Sequence, residues 1–229
     1  MKKTFYNKLL GDGKVIGTLY EIDPFHYEKL KFVKKEVGRN KIVLDVGCSE
    51  GFIGEELIKQ GNKVYGIDIV EKNLKVAAKK GLIVKNIDID KQKLPFEQNF
   101  FDVVVVADFI EHVFDTDELL RKCAKVLKKN GKIIITTPNI ASLGRRIMLL
   151  LGISPFTEHS LELPTSGFPS AGHIRYYTVK TLKEQLLYDG FNNPKIIGNA
   201  VNFVKFRSVK MGEVFPTFSI MLMASARKK

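Results

Sequence analysis

The chain has 229 residues, of which 45% are hydrophobic and 27% charged, a globular balance that excludes disordered, collagen-like and fibrous classes. This length fits one domain with room for an elaboration. Lysine and arginine total 37 against 25 aspartate and glutamate, a formal charge of +12, which favours polyanions, anionic membrane surfaces or acidic ligands but fixes no fold. Cys48 and Cys123 build neither a disulfide framework nor a clustered zinc-ligand pattern, so a reducing cytoplasm is the expected location and no metal site is expected. The basic start is not followed by the apolar core of a signal peptide. The greasiest run, Ile147 to Ile153, is far short of the about 20 residues that span a bilayer, so the chain reads as soluble.

In chain order, residues 1–38 read as an N-terminal arm and a helix. Phe25, Leu30, Phe32 and Val33 fit a short helix ending near Gly38, with Asp23 as its cap and Pro24 in its first turn. Ile42 to Leu44 is a β-branched run, as in a strand buried on both faces. A glycine-bearing turn follows, then a helix to Lys59 closed by Gly61. Val64 to Ile67 gives a second strand, Glu71 to Lys80 a helix stopped by Gly81, and Leu82 to Ile87 a third strand. Val103 to Ala107, with its four valines, is the strongest strand. Asp115 to Lys129 is a helix capped by Asp115, with Glu118 placed for a capping box and Leu119, Leu120, Cys123, Val126 and Leu127 on one face. Lys132 to Thr137 makes a fifth strand. Strands alternating with helices imply βαβ units, a parallel sheet and right-handed crossovers.

Past Pro138 the alternation lapses. Residues 138–177 hold Pro138, Pro155, Pro164 and Pro169 with little periodicity, which points to a lid or insertion rather than a plain connector. Thr178 caps a further helix, with Val179, Leu182, Leu186 and Leu187 inward, that ends at Gly190. Two consecutive strands near 195–200 and 218–224 then suggest an antiparallel edge pair.

The most informative segment is Val43-Leu44-Asp45-Val46-Gly47-Cys48-Ser49-Glu50-Gly51, an Asp-x-Gly-x-x-x-Gly spacing at the end of a buried strand. Ligands of open α/β sheets bind beyond such strand ends. Gly47 lets backbone approach a ligand, and Gly51 lets the next helix start close to the sheet. A dinucleotide fingerprint would carry glycine where Asp45 stands. A carboxylate there repels a pyrophosphate but suits a ligand bearing an ammonium and a sulfonium. Asp68, at the end of the second strand, either accepts both hydroxyls of a ribose or caps the next helix. Asp88 and Asp90 follow the third strand, where an acid can meet an adenine amino group or simply face solvent.

Together with Gly66-Ile67-Asp68, Leu94-Pro95-Phe96, Phe101-Asp102-Val103-Val104, Glu111-His112-Val113 and Leu127 to Lys132, this segment resembles the class I S-adenosylmethionine-dependent methyltransferases, in their small-molecule branch. The resemblance covers about residues 40–138. It implies an α/β, doubly wound, seven-stranded and mostly parallel sheet with an antiparallel last strand. It also implies S-adenosylmethionine as cofactor. By the same resemblance Asp45 and the Gly47 region hold the methionine part, Asp68 the ribose, and Asp88 with Ile89 the adenine, with Cys48, Gly51 and Ile69 also among the cofactor-binding residues. Asp108 lies beside the methionine moiety and the acceptor. The division that follows is one domain over 1–229, with an arm and helix at 1–38, a cofactor-binding core at 39–137, a lid or acceptor insertion at 138–177, and a closing helix and strands at 178–229. Ser49-Glu50 departs from the family's usual glycine-containing turn, which makes the turn stiffer and adds a negative charge.

Methyl transfer from a sulfonium is an in-line displacement, so the protein supplies alignment, a dry site and, for a hydroxyl, a base. His112 and His173 are the candidate bases, with a hydrogen-bonded structural histidine as the alternative for His112. In His173-Ile174-Arg175-Tyr176-Tyr177-Thr178, alternation puts His173, Arg175 and Tyr177 on one side of an extended segment. Arg175 and Tyr177 there either bind an anionic or sugar-like acceptor or anchor the lid. Arg145-Arg146 followed by Ile147 to Leu151 gives a short helix that either packs on the sheet edge or meets a lipid-linked acceptor or membrane surface. The expected activity is methyl transfer to an oxygen or nitrogen of a small-molecule, glycan or lipid-linked acceptor. The alternatives are an RNA or protein methyltransferase, or a cofactor-binding protein without catalysis. Nucleic acid is disfavoured because the lysines are spread through helices and no Asn-Pro-Pro-Tyr loop or Pro-Cys nucleophile is present.

Overall fold

A computed structural model describes residues 24–156, 172–203 and 206–229. The N-terminal arm, the Asp23 cap and the middle of the 138–177 insertion lie outside the described residues. Helices are α1 (Pro24–Val37), α2 (Phe52–Lys59), α3 (Glu71–Lys79), α4 (Thr116–Val126), α5 (Leu143–Leu150), α6 (Val179–Tyr188) and α7 (Val209–Val214). Strands are β1 (Ile42–Val46), β2 (Lys63–Asp68), β3 (Ile83–Asn86), β4 (Phe101–Ala107), β5 (Leu127–Pro138), β6 (Phe191–Gly198), β7 (Val201–Phe203), β8 (Phe206–Ser208) and β9 (Met221–Lys228).

Seven strands form one sheet in the order β3-β2-β1-β4-β5-β9-β6, and β7 with β8 forms a separate hairpin. The first five run parallel, and β9 is antiparallel to both β5 and β6. The α/β, doubly wound, mostly parallel sheet expected from the sequence is therefore present, with its antiparallel last strand. Period-2 geometry sends alternate side chains of the valine run to opposite faces. Val103 and Val105 join Val43, Leu57, Ala77 and Ile134 in the core under α1, α2 and α3. Val104 and Val106 join Leu44, Leu119, Leu120, Ile133 and Leu186 in the core under α4 and α6. A strand buried on both faces needs an apolar residue at every position, which is why the run is continuous rather than alternating.

Three features differ from expectation. Helix α4 stops at Val126 rather than Lys129, because Leu127 takes an extended backbone (φ −70°, ψ 139°), its buried side chain joining the core and its backbone pairing beside Phe101. The register then jumps from Phe101↔Leu127 to Val103↔Lys132, so residues 128–131 bulge out before regular pairing resumes. The two terminal strands are not consecutive: β7, β8 and α7 intervene, and β9 slots inside the sheet, leaving β6 as the edge. Of the capping box foreseen at Asp115, the structure holds the Asp115 half, whose Oδ1 accepts from the Glu118 N–H at 2.8 Å, while Glu118 turns to Arg121 and Lys122. A reciprocal capping box does form at Thr178, with Thr181 as its partner.

Leu120 is fully buried at the centre of the α4 face. Replacing it with alanine should cost about 2–5 kcal/mol of unfolding free energy, read from a lowered urea midpoint with an unchanged slope.

Candidate cofactor and acceptor site

From β1 the chain winds outward to β2 and β3, and β4 returns on the other side of β1. The connections thus diverge between β1 and β4, and a crevice opens beyond their carboxyl ends. An open cleft of about 520 Å³ lies there. Gly47 lines it after β1, Asp68, Ile69 and Val70 at the end of β2, Ile87 to Asp90 after β3, and Phe109, His112 and Val113 after β4.

The turn after β1 is latched to β2. The N–H groups of Gly47 and Cys48 both donate to the Ile67 carbonyl, at 2.9 and 3.0 Å. Gly47 has φ +72°, and a Cβ there would lie 2.1 Å from Cδ2 of Phe109. Only a residue without a side chain lets the Phe109 ring lie against the turn. Gly51 (φ +76°) starts α2 and packs against Ala77 of α3. The Cys48 thiol is buried against Gly66, and burial raises its pKa.

Asp68 binds two turns at once. Its Oδ2 accepts from the Ser49 N–H at 2.9 Å and its Oδ1 from the Val70 N–H at 2.8 Å. Burial holds its pKa up while these amides pull it down. The helix-capping type of bond and a place on the cleft wall thus coexist in one residue. Asp45 is 3% exposed beneath the turn, and its Oδ2 has no hydrogen-bond partner. Desolvation, reinforced by Asp68, pushes its pKa up to about 7.

Asp108 ends β4 in a left-handed conformation, φ +49°. Its N–H donates to the Thr136 carbonyl at 2.9 Å, and its Oδ1 accepts the Thr136 hydroxyl at 2.8 Å. Its Oδ2 pairs with the ammonium of Lys29 from α1. One helical turn later, Glu111 is buried with Oε2 accepting the Thr137 hydroxyl at 3.0 Å and Oε1 unpartnered. Burial and the neighbouring Asp108 raise its pKa to about 8.

The two candidate bases meet. The ring centroids of His112 and His173 are 4.8 Å apart, and donor atoms of Glu111, His112 and His173 lie within 4.8 Å of one another. Nδ1 of His112 faces the Gly172 carbonyl at 3.3 Å. The 172–177 segment is tied down by the Glu111 carbonyl, which accepts from the N–H groups of Ile174 and Arg175. The Arg175 guanidinium reaches the Phe114 carbonyl, while Tyr177 is buried in the core and pairs with Asn139. His173, Arg175 and Tyr177 therefore point to three different environments rather than one face.

Of the sequence-derived candidates, the cleft wall unites Gly47, Asp68, Ile69, Asp88, Ile89 and His112. Asp45, Cys48, Gly51 and Asp108 stand behind it as support, and Arg175 and Tyr177 lie away from it. Sequence reasoning missed Phe109, whose position directly after Asp108 was the available signal. It also missed Lys29, which nothing distinguishes within a lysine-rich helix.

A family model described as a methyltransferase domain matches residues 44–135. Over that segment the chain carries a methyltransferase domain, similar to those that use S-adenosylmethionine. A ubiquinone biosynthesis O-methyltransferase of Nitrosomonas europaea is 33% identical over 129 residues, 53% of this chain and 53% of its own length. The chain thus spans about half the length of the curated relatives it matches. Among solved structures, a Thermotoga maritima S-adenosylmethionine-dependent methyltransferase, described as a possible histamine N-methyltransferase, superposes with TM-score 0.71 at 18% identity over 99% of both chains. An Archaeoglobus fulgidus S-adenosylmethionine-dependent methyltransferase gives 0.66 at 21% identity over 98% of both. At these identities the likeness is one of fold.

The residues present fit the family's cofactor. Asp45 offers a buried carboxylate oxygen with no partner, next to a turn that only glycine permits, and a cationic group is what such an oxygen lacks. Because the folded pKa of Asp45 lies above its unfolded value, the ligand-free protein gains stability from it at low pH and loses that gain as pH rises through about 7. A cationic group bound there would favour the ionised form. Affinity should therefore rise from pH 5.5 to 8 and level off above, with about one proton released per cofactor bound at the low end of that range and none on the plateau. Calorimetry in buffers of different ionisation enthalpy measures both, and a flat affinity over that range contradicts the assignment.

Proposed function

We propose that the protein transfers a methyl group from S-adenosylmethionine to an oxygen or nitrogen of a small-molecule, glycan or lipid-linked acceptor. The observation that carries this reading is a buried, unpartnered Asp45 oxygen beneath the glycine turn of a cleft whose wall also carries a histidine, His112. When bound, the cofactor supplies an electrophilic methyl carbon. The chain's residues then have three tasks.

First, acids must hold a positively charged ligand. Asp68 and Asp88, on the cleft wall after β2 and β3, and Asp45, buried behind it at the end of β1, are the acids that would hold a cationic nucleoside. Second, the acceptor must be dry and aligned. Phe109 and Val113 give the cleft an apolar wall beside His112. Third, a hydroxyl or ammonium acceptor must lose its proton. The Gly172 carbonyl can only accept, so the Nδ1 facing it carries hydrogen in the neutral ring and Nε2 keeps the lone pair. His112 would then take the acceptor proton at Nε2. His173, ring against ring with it, is the second candidate for that role.

Residues 138–177 are the natural site of acceptor choice, because their described end, 172–177, hydrogen-bonds to the turn that carries His112. Among the described residues, no helix is long and apolar enough to cross a membrane. The name of the curated relatives, ubiquinone biosynthesis O-methyltransferase, supports a small-molecule acceptor and an oxygen as its methylated atom.

Incubation with methyl-labelled cofactor and fractionated extracts of small molecules, lipids, RNA and protein should put label in the small-molecule or lipid fraction. Label confined to RNA or protein would overturn the acceptor class. With an acceptor in hand, His112→Gln should lower kcat by about 10²–10⁴-fold while leaving cofactor affinity within about threefold.

A further inference from the structure

Among the described residues, Lys29 is the one lysine or arginine whose residue is fully buried. It comes from α1, outside the segment matched by the family model. A buried ammonium is retained only where a carboxylate compensates it, and Lys29 meets the Oδ2 of Asp108. We infer that Lys29 is a positioning residue of the transfer site, clamping Asp108 so that the turn after β4 presents Phe109 and His112 to the cleft. The inference rests on the proposed cofactor reading of that cleft.

The geometry is a short chain of contacts. Lys29 holds one carboxylate oxygen of Asp108 and the Thr136 hydroxyl holds the other. Asp108 sits in a left-handed conformation that a non-glycine residue adopts only when its surroundings enforce it. The next residue is Phe109, whose ring lies against Gly47, and the following single helical turn, Ile110–His112, ends at the candidate base. Close by, Glu111 is a fully buried carboxyl that interacts unfavourably with the half-buried Asp108 and favourably with Lys29. Without the ammonium, the half-buried Asp108 carboxylate faces the buried Glu111 uncompensated and is free to swing toward water, taking the turn with it. Lys29 itself lines no part of the cleft, so its influence passes through Asp108.

S-adenosylhomocysteine is the suitable probe. It is a zwitterion without net charge, so losing one protein charge alters its binding mainly through geometry, whereas the cationic cofactor would also feel the changed field. Lys29→Met should weaken S-adenosylhomocysteine binding about tenfold by calorimetry, and Lys29→Arg should stay within about threefold of the unsubstituted protein. In an Asp108→Asn background, adding Lys29→Met should change the affinity by less than about twofold, because no carboxylate remains to be clamped. That comparison also serves if Lys29→Met alone does not fold. A purely structural role would lower Tm but leave the affinity of the folded protein unmoved, and that result overturns the inference. So does an equal loss in both backgrounds. If the unsubstituted protein itself fails to bind S-adenosylhomocysteine, the cofactor reading falls instead.

Discussion

The parallel pairing of β1 with β4 is the constraint on which the remainder depends. Val43 to Asp45 lie beside Val103 to Val105, so both strands are central and each must bury side chains above and below. Helices are then required on both faces, and the connections must diverge from this pair in opposite directions. A crevice beyond the two strand ends is the geometric consequence. Whatever the sequence places at positions 45–49 and 108–112 is delivered to that crevice.

Three acids, Asp45, Asp108 and Glu111, arrive there, Asp68 joins them from β2, and burial makes acid costly. Asp45 and Glu111 both have pKa values pushed toward or above neutrality, and each carries an oxygen with no partner. Asp68 and Asp108 have settled the same problem differently. The first spends its oxygens on the backbone amides of Ser49 and Val70, and the second on Thr136 and Lys29. The site thus contains two acids satisfied by the fold and two that are not. The unsatisfied pair marks where charge or hydrogen bonding is to come from outside the chain, or where a proton remains bound.

Much of this was legible in the sequence because it depended on local rules. The valine run, the Gly61 and Gly81 helix stops and the Asp115 and Thr178 caps each follow from backbone sterics or short-range hydrogen bonding. The Asp45-to-Gly51 turn and Asp68 were readable for the same reason: a strand end followed by glycine can do few things. Less legible was whatever depended on distant partners. Leu127 leaves its helix because Phe101 and the core hold it extended, although its own helical periodicity continues to Lys129. Simple alternation put His173, Arg175 and Tyr177 on one face. Separate anchors, namely the His112 ring, the Phe114 carbonyl and the strand end at Asn139, draw them apart.

The sequence by itself therefore determined the layers, the order of helices and strands through β5, and the acids at the strand tips, since period, capping and turn chemistry act over a few residues. Tertiary structure alone decided which of those acids keep a bare oxygen, that two histidines 61 residues apart bring their ring centroids within 4.8 Å, and that a lysine from α1 reaches Asp108. Burial and charge compensation are properties of what surrounds a group in space, and neighbours along the chain say little about them.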